Sequence, residues 1–512
     1  MAVTQNAINS HVFKGRKQIL TNIGIIDKTT IPSIINSALD IHESNKEEIE
    51  ALENYYLGDQ QIQYRIKEQR PDINNKITVN NAYAITRIIN GVAYGNQIQI
   101  IPRNKEVADQ VKTFNNFSLN EMKHKKDMEI SNWQSICGTA YVLVLPNLVD
   151  KYNVPFKTYV LNPKTTFCVY SNTIDRKRVL GVTYIENIDE KNNVISVTYT
   201  IYSDRATYTY TTTNKDFSIT ASDFIANALE VPRMYSNKVP IVEYQNDMFA
   251  QGDWEMTISL LDGINLLTSD RLNQFVQNVS YLYKMINLEF EEGIKSVWEV
   301  IDKGFIQLTS GAESNNKADF DILTAPIDQS NVQELANYLQ DKLELVVGIP
   351  NRQTRGGGGD TGTAVFLRNG LDDTHTRIAI KHAFRIASEM EVVDLKLDIT
   401  NKLGLTTLNN YDIDINITPV RHDNSQQTAQ ALQIYDTIGF PKDDALSLLN
   451  LTQDPTSLSM KWEETQEEKK EKEIRIEQMK KQPVSEQTSV NMENEMMSDD
   501  MSDDTNDGIS AE

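Results

Sequence analysis

Between Gly362 and Leu403 the sequence keeps a helical hydrophobic period for about forty residues, and the chain reaches that stretch through four consecutive glycines, Gly356 to Gly359. At 1.5 Å of rise per residue such a helix is about 60 Å long. That is more than three times the mean of about 11–12 residues, and one small core cannot wrap it. Two further helical patterns lie just upstream. One runs from Gly252 to about Met285, with Trp254, Ile258, Leu261, Asn265, Leu272, Phe275, Val279 and Leu282 at helical spacing. The other opens at Ser330-Asn331-Val332-Gln333, a capping-box pattern, and places Val332, Leu335, Leu339, Leu343 and Val346 on one face before Gly348 and Pro350 stop it. Residues 286–328 between them contain Gly293, Gly304 and Gly311 and read as a helix plus short strands.

The N-terminal half supplies a different texture. Ser44-Asn45-Lys46-Glu47 reads as a capping box opening a helix with Ile49, Leu52, Tyr55 and Tyr56 on its apolar side, stopped near Gly58. Asn80 to Asn90 reads as a helix and Gln97 to Ile101 as a short strand. From Gly138 to Thr213 the chain is rich in Thr, Tyr, Val and Ile. There Ile195, Val197, Tyr199 and Ile201 alternate up to a turn at Ser203-Asp204, which predicts a half-buried hairpin inside a sheet. Shorter helices are predicted at Ser425–Ile438, Pro441–Asn450 and Thr456–Met479. The fold class is α+β and predominantly helical, with no repeat of solenoid period.

Charge narrows the function classes. The 512 residues carry a net −22 with pI near 4.8, which argues against a free-standing basic grip on nucleic acid. The last fifty residues, Glu463 to Glu512, hold −10 of that, and beyond Pro483 there are nine acids and no base. Such a segment cannot bury enough apolar surface to offset its ordering entropy and is predicted disordered. The stretch EETQEEKKEKEIRIEQMKK before it reads as a solvated helix held by Glu–Lys pairs four apart. Cys137 and Cys168 cannot build a disulfide framework, so a reducing compartment is expected. The first thirty residues lack the apolar core of a signal peptide, and no run approaches eighteen apolar residues, so neither secretion nor a membrane span is expected.

Chemical motifs are sparse. Gly357 to Gly362 satisfies G-x-G-x-x-G, but a dinucleotide turn needs a strand immediately before it, and here a helix ended by Pro350 precedes. The same run approaches a phosphate loop, yet Thr363 stands where the phosphate-binding lysine belongs. Four glycines instead describe a loop with few steric limits, flanked by Arg352 and Arg355. His375 and His382 share a helix, but no Cys, Asp or Glu at i+3 or i+4 completes a metal set, and Glu389 lies seven residues beyond His382. No nucleophile elbow occurs. No cofactor, metal or catalytic residue is expected.

The order of elements resembles a family. ENYYLGDQQI, NNKITVNNAYAITRIINGVAYGNQIQI, the Gly-x-Ala-Tyr strand in WQSICGTAYVLVL, and above all KVPIVEYQNDMFAQGDWEMTISLLDGINLLTSDRLNQFV carry the resemblance. So do the glycine loop before a very long helix and ITPVRHDNSQQTAQALQIYDTIG. Over about residues 40–460 they are similar to the portal proteins of tailed bacteriophages, in the form found in siphophages of Gram-positive hosts. The glycine loop is richer in glycine than that family's. The resemblance implies an N-terminal arm (1–40), a β-rich wing (41–251), stem helices (252–285 and 329–348) and a small α/β clip (286–328). It further implies a tunnel loop (349–361), a long wing helix (362–404), a helical crown (405–482) and the acidic tail (483–512). Implied with them is a homo-oligomeric ring, usually of twelve, at one capsid vertex of the virion, built in the host cytoplasm. It would nucleate procapsid assembly with scaffolding and major capsid proteins, dock the large terminase subunit and later a head-completion adaptor, and pass double-stranded DNA in packaging and ejection. Arg352, Gln353, Arg355, Gly356, Gly357, Gly358 and Gly359 would face the DNA; Glu291, Glu292, Trp298 and Lys303 would be the clip's partner surface. Other expectations for such a chain are a different virion connector with a similar helical core, or a nucleotide-dependent enzyme using the glycine turn.

Overall fold

A computed structural model describes residues 12–67, 71–191, 193–214, 216–279, 282–286, 288–290, 308–310, 319–323, 329–349, 371–420, 425–440, 445 and 455–481. The chain divides into two compact units, Met1–His422 and Asp423–Glu512.

In the first unit the N-terminal arm contributes β1 (Ile19–Thr21) and leads into α1 (Ile31–Tyr56). Then come α2 (Asn81–Tyr94), β2 (Gln99–Pro102), α3 (Ala108–Asn120) and α4 (Lys123–Cys137). The sheet region holds β3 (Thr139–Pro146), β4 (Phe156–Leu161), β5 (Thr166–Ser171), β6 (Arg178–Ile188), β7 (Val194–Tyr202) and β8 (Ala206–Thr212). It closes with α5 (Ala221–Asn227), β9 (Leu229–Pro232) and β10 (Ile241–Gln245). After it run α6 (Ile258–Val279), the short strands β11 (Leu282–Ile286), β12 (Leu288–Phe290), β13 (Leu308–Ser310) and β14 (Asp319–Leu323), and α7 (Gln329–Val347). Helix α8 (Leu371–Lys402) and β15 (Ile413–Asn416) complete the unit. The second unit contains α9 (Ser425–Thr437) and α10 (Pro455–Lys481), the latter exposed along its described side chains except for the half-buried Gln466.

Two sheets carry the N-terminal half. Six strands lie in the order β1-β5-β6-β7-β8-β9, antiparallel except for β1 beside β5. The expected hairpin is β7–β8: Tyr202 pairs with Thr207, and the Ser203 hydroxyl accepts the amides of Arg205 and Ala206 to close the turn. Val197, Tyr199 and Ile201 are buried against α1 as the alternation requires, whereas Ile195 is exposed. The second sheet, β10-β3-β4, is covered by α8, whose Ile378, Val392, Val393, Leu395 and Leu397 join Val142, Val144 and Val242 in one core.

Three expectations need correction. Helix α1 begins at Ile31, so Ser44 is mid-helix and caps nothing. Asn45 is buried there because its amide bridges both the N–H and the carbonyl of Lys17, while Lys17 Nζ donates to the Ser44 hydroxyl. The helix from Gly252 opens with a 3₁₀ turn, Glu255–Thr257, and ends at Val279 rather than Met285. Leu282 to Ile286 is a strand because it finds a partner, pairing antiparallel with Leu323 to Asp319. The Pro441–Asn450 helix, residues 362–370 and the acidic tail lie outside the described residues. Among the described residues no helix is long and apolar enough to cross a membrane.

Candidate functional site

The described parts of the paired helices and the long helix converge on one buried knot, Gly252-Asp253-Trp254-Glu255. Asp253 lies at its centre. Lys381 of α8 places Nζ 2.7 Å from Asp253 Oδ2 and donates to the Ser135 hydroxyl at 2.7 Å. Asn246 donates to Oδ1 at 3.0 Å, and Arg377 of α8 donates to the Asp253 carbonyl at 2.8 Å. Burial opposes the charge on Asp253, but the Lys381 and Arg377 cations outweigh it and hold the carboxyl below the usual carboxylate range. Trp254, fully buried, stacks on Tyr55 of α1 with ring centroids 5.5 Å apart and donates its indole N–H to Thr86 of α2. Glu255 takes the N-terminal arm: Arg16 donates at 2.7 Å, and the amides of Gly15 and Gly252 close on the same carboxylate.

This packing leaves no room for side chains at two glycines. Gly138, with φ +78°, ends α4, and a Cβ there would collide with the carbonyl of Ala250; at Gly15, φ +84°, it would meet that of Phe249. The loop Phe249–Gly252 thus threads between the arm and the end of α4 before it becomes α6.

The same knot fixes both ends of the glycine-rich stretch. The Thr374 hydroxyl of α8 donates to the Gly348 carbonyl at 2.8 Å, and Arg377 reaches the Val346 carbonyl at 3.4 Å. The chain leaves the end of α7 and returns beside it. Residues Arg352, Gln353, Arg355, Gly356, Gly357, Gly358 and Gly359 lie between those ends, outside the described residues.

The second excursion is built similarly. Helices α6 and α7 pack side by side, with Arg271 donating to Gln333 at 2.7 Å. Beyond them β11 pairs with β14 and β12 with β13, a nested antiparallel ribbon. Glu291, Glu292, Trp298 and Lys303 follow β12 and lie outside the described residues. On the helices themselves Leu266, Leu272 and Phe275 of α6 and Leu335, Tyr338, Leu345 and Val346 of α7 are exposed. Leu272, Phe275, Leu335 and Val346 of the predicted stripes are thus left uncovered by the described residues.

Sequence reasoning missed the ionic spine of α8. Arg377, Lys381, Arg385 and Glu389 follow at intervals of four and all but Arg377 are buried. Arg385 binds Asp127 at 3.0 Å and lies over the rings of Tyr94 and Tyr244. Glu389 binds Lys123 at 2.5 Å; burial alone would raise its pKa, but Lys123 and Arg385 bring it down to about 2. His382 contacts the Ala93 carbonyl at 3.0 Å, and burial pushes its pKa down to about 4. Among the described residues no group of three or more His, Cys, Asp or Glu could hold a metal ion. Cys137 and Cys168 are buried and free, and burial pushes the Cys137 thiol up to about 12.

Comparison with known families matches residues 35–477 to the family described as phage portal protein, SPP1 Gp6-like. A search of curated proteins finds no match.

Proposed function

The chain belongs to the SPP1 Gp6-like phage portal proteins, structural rather than catalytic components of DNA packaging that sit in the virion capsid, and from that premise we propose a specific working form. Twelve copies close into a ring at one capsid vertex and conduct double-stranded DNA inward in packaging and outward in ejection. Helices α6 and α7 are the stem, residues 286–328 the clip, 349–361 the tunnel loop, α8 the wing helix and 405–482 the crown. The clip docks the large terminase subunit, which supplies ATP hydrolysis, and later a head-completion adaptor. Assembly in the host cytoplasm brings the ring together with scaffolding and major capsid proteins and nucleates the procapsid.

One observation carries this reading: two helices share a root and run side by side, and both expose apolar side chains, Phe275 and Tyr338 among them. A closed heterologous ring covers such faces with the neighbouring copy. Charge is compatible with a conduit. Each neutralised phosphate adds a salt-dependent binding term, so a basic wall would retain DNA, whereas twelve copies at −22 each give a ring of −264. Arg352 and Arg355, beside the glycines, then touch phosphates only in passing.

Electron microscopy with particle mass tests the assembly. Twelve chains of 58.2 kDa make about 700 kDa, and a closed ring of that mass with a hole wide enough for duplex DNA is expected. A compact small oligomer without a hole refutes the conduit. For the loop, Arg352→Ala/Arg355→Ala should slow packaging in rings that assemble normally; unchanged packaging removes the loop's role.

A further inference from the structure

Helix α6 is held in two different ways along its length. Its first turns are buried by apolar contact: Ile258, Leu261 and Ile264 lie in the core around Trp254. Beyond Ile264 the buried described side chains of the helix are Asn265, Ser269 and Asn273, every one polar, at intervals of four. All three face residues 75–79, a stretch outside helix and strand that runs along α6 in the opposite direction. Asn265 Oδ1 accepts the amide of Val79 at 2.8 Å, Ser269 Oγ that of Ile77 at 2.9 Å, and Asn273 Oδ1 that of Asn75 at 2.7 Å together with the Asn75 side-chain amide at 2.9 Å.

The periods explain why these rungs line up. Four helical residues advance about 6.0 Å, and two residues of near-extended chain advance about 6.6 Å. Alternate amides of the strap therefore meet successive turns of the helix over three rungs. Both ends are tied down. Asn265 Nδ2 donates to Gln60 at 2.6 Å, Gln60 donates to Asn80 at 3.2 Å, and Asn80 accepts the Tyr83 amide that opens α2. Arg65 binds Asp270 at 2.7 Å on the adjoining face.

We infer that Asn265, Ser269 and Asn273 are positioning residues that set the angle at which α6 leaves the core. Apolar contact tolerates sliding, but a ladder of directional hydrogen bonds from part-buried strap amides to buried side-chain acceptors admits one register. From Ile264 to Val279 the helix runs about 22 Å, so a change of about 5° at its root moves its far end by about 2 Å. That displacement would be felt in the width of the stem, a consequence that rests on the portal reading.

The test compares Asn273→Leu, which removes the acceptor at similar volume, with Asn273→Asp, which keeps a carboxylate oxygen for both Asn75 donors. Amide hydrogen exchange is followed in the full-length protein, and stem angle is measured in averaged electron micrographs of the same preparations. In Asn273→Leu the Asn75 amide should exchange at least about tenfold faster, the acceleration should stay within the strap, and the stem angle should change. Asn273→Asp should restore both. Unchanged Asn75 exchange, an unchanged stem angle, acceleration spread over the whole core, or an Asp variant that behaves like Leu overturns the inference. A compact wild-type oligomer without a hole would sink the proposed conduit instead, while the exchange comparison still decides whether the rungs hold the strap.

Discussion

Replacing Lys381 by Met should be among the most damaging single changes in the protein, and the damage should depend on pH. The Lys381 ammonium lies 2.7 Å from Asp253 and 2.7 Å from the Ser135 hydroxyl, with both charged side chains at most 4% exposed. Met fills a similar volume and strands the carboxylate, leaving Asn246 at 3.0 Å and Arg377 at 3.7 Å from Oδ1. Removing one member of a buried ion pair costs about 3–5 kcal/mol. The sign with pH follows from Asp253. In the wild type its folded pKa is depressed, so its contribution is present above the unfolded value of about 3.9 and is lost as pH falls through the lower folded value. In Lys381→Met, burial without the cation raises the folded pKa, and protonation relieves the stranded charge. The gap between variant and wild type should therefore be widest at neutral pH and narrow as pH falls toward about 4. Thermal unfolding followed by circular dichroism at several pH values measures it. Adding Asp253→Asn to Lys381→Met should recover most of the loss, because no fully buried charge is then left unpaired and the part-exposed Arg377 keeps its donations to the Val346 and Asp253 carbonyls. A single variant as stable as wild type at pH 7, or a double variant no better than the single, refutes this account of the knot.

Gly138→Ala should cost more than the roughly 1–2 kcal/mol of a left-handed non-glycine residue, because its methyl also strikes the Ala250 carbonyl; soluble yield and melting temperature report it. His382, with its folded pKa down at about 4 against an unfolded value near 6.5, stays neutral in the fold while the unfolded chain takes up a proton. Stability should thus fall as pH drops from about 6.5 to 4, by up to about 3 kcal/mol for this residue, and the slope should shrink in a His382→Gln variant that keeps a donor to Ala93. Phe275→Asp/Tyr338→Asp should leave the far-ultraviolet spectrum of the chain unchanged and abolish ring formation in sedimentation, and rings of normal mass would remove these faces from the subunit contact.

What could be read from the sequence depended on how local its cause was. The β7–β8 hairpin was legible because Val197, Tyr199 and Ile201 alternate and Ser203 can close the turn from within four residues. The start of α1 was not, because the Ser44-to-Glu47 pattern is identical whether it caps a helix or decorates one. What decides is Lys17, 28 residues from Asn45, whose backbone occupies the Asn45 amide. At the end of α6, Leu282 continues a helical stripe, and Leu282 to Ile286 carry no apolar alternation that would mark a strand; pairing with residues 319–323 settles the choice. The knot was hidden for the same reason, since Arg16 and Glu255 meet across 239 positions. The four-residue spacing of Arg377, Lys381, Arg385 and Glu389 was visible, yet such spacing ordinarily marks a solvated face, and only the burial of α8 against α4 and β10 turns it into a spine.

The two kinds of contact on α6 divide its work. Among the described residues, the fully buried side chains in the distal half of the helix are the polar rungs, which fix direction but remove little apolar surface from water. Its apolar side chains there, Leu266, Leu272 and Phe275, stay exposed, as do Leu335 and Tyr338 on α7. Had the chain evolved to stand alone, burying those residues would be the cheaper route to stability, at about 25 cal/mol for each Å² of apolar surface covered. Leaving them outward makes sense when another copy covers them. In the proposed ring, the rungs would orient the helix before any neighbour arrives, so that the apolar faces meet at a set angle and the ring closes instead of growing as a helix.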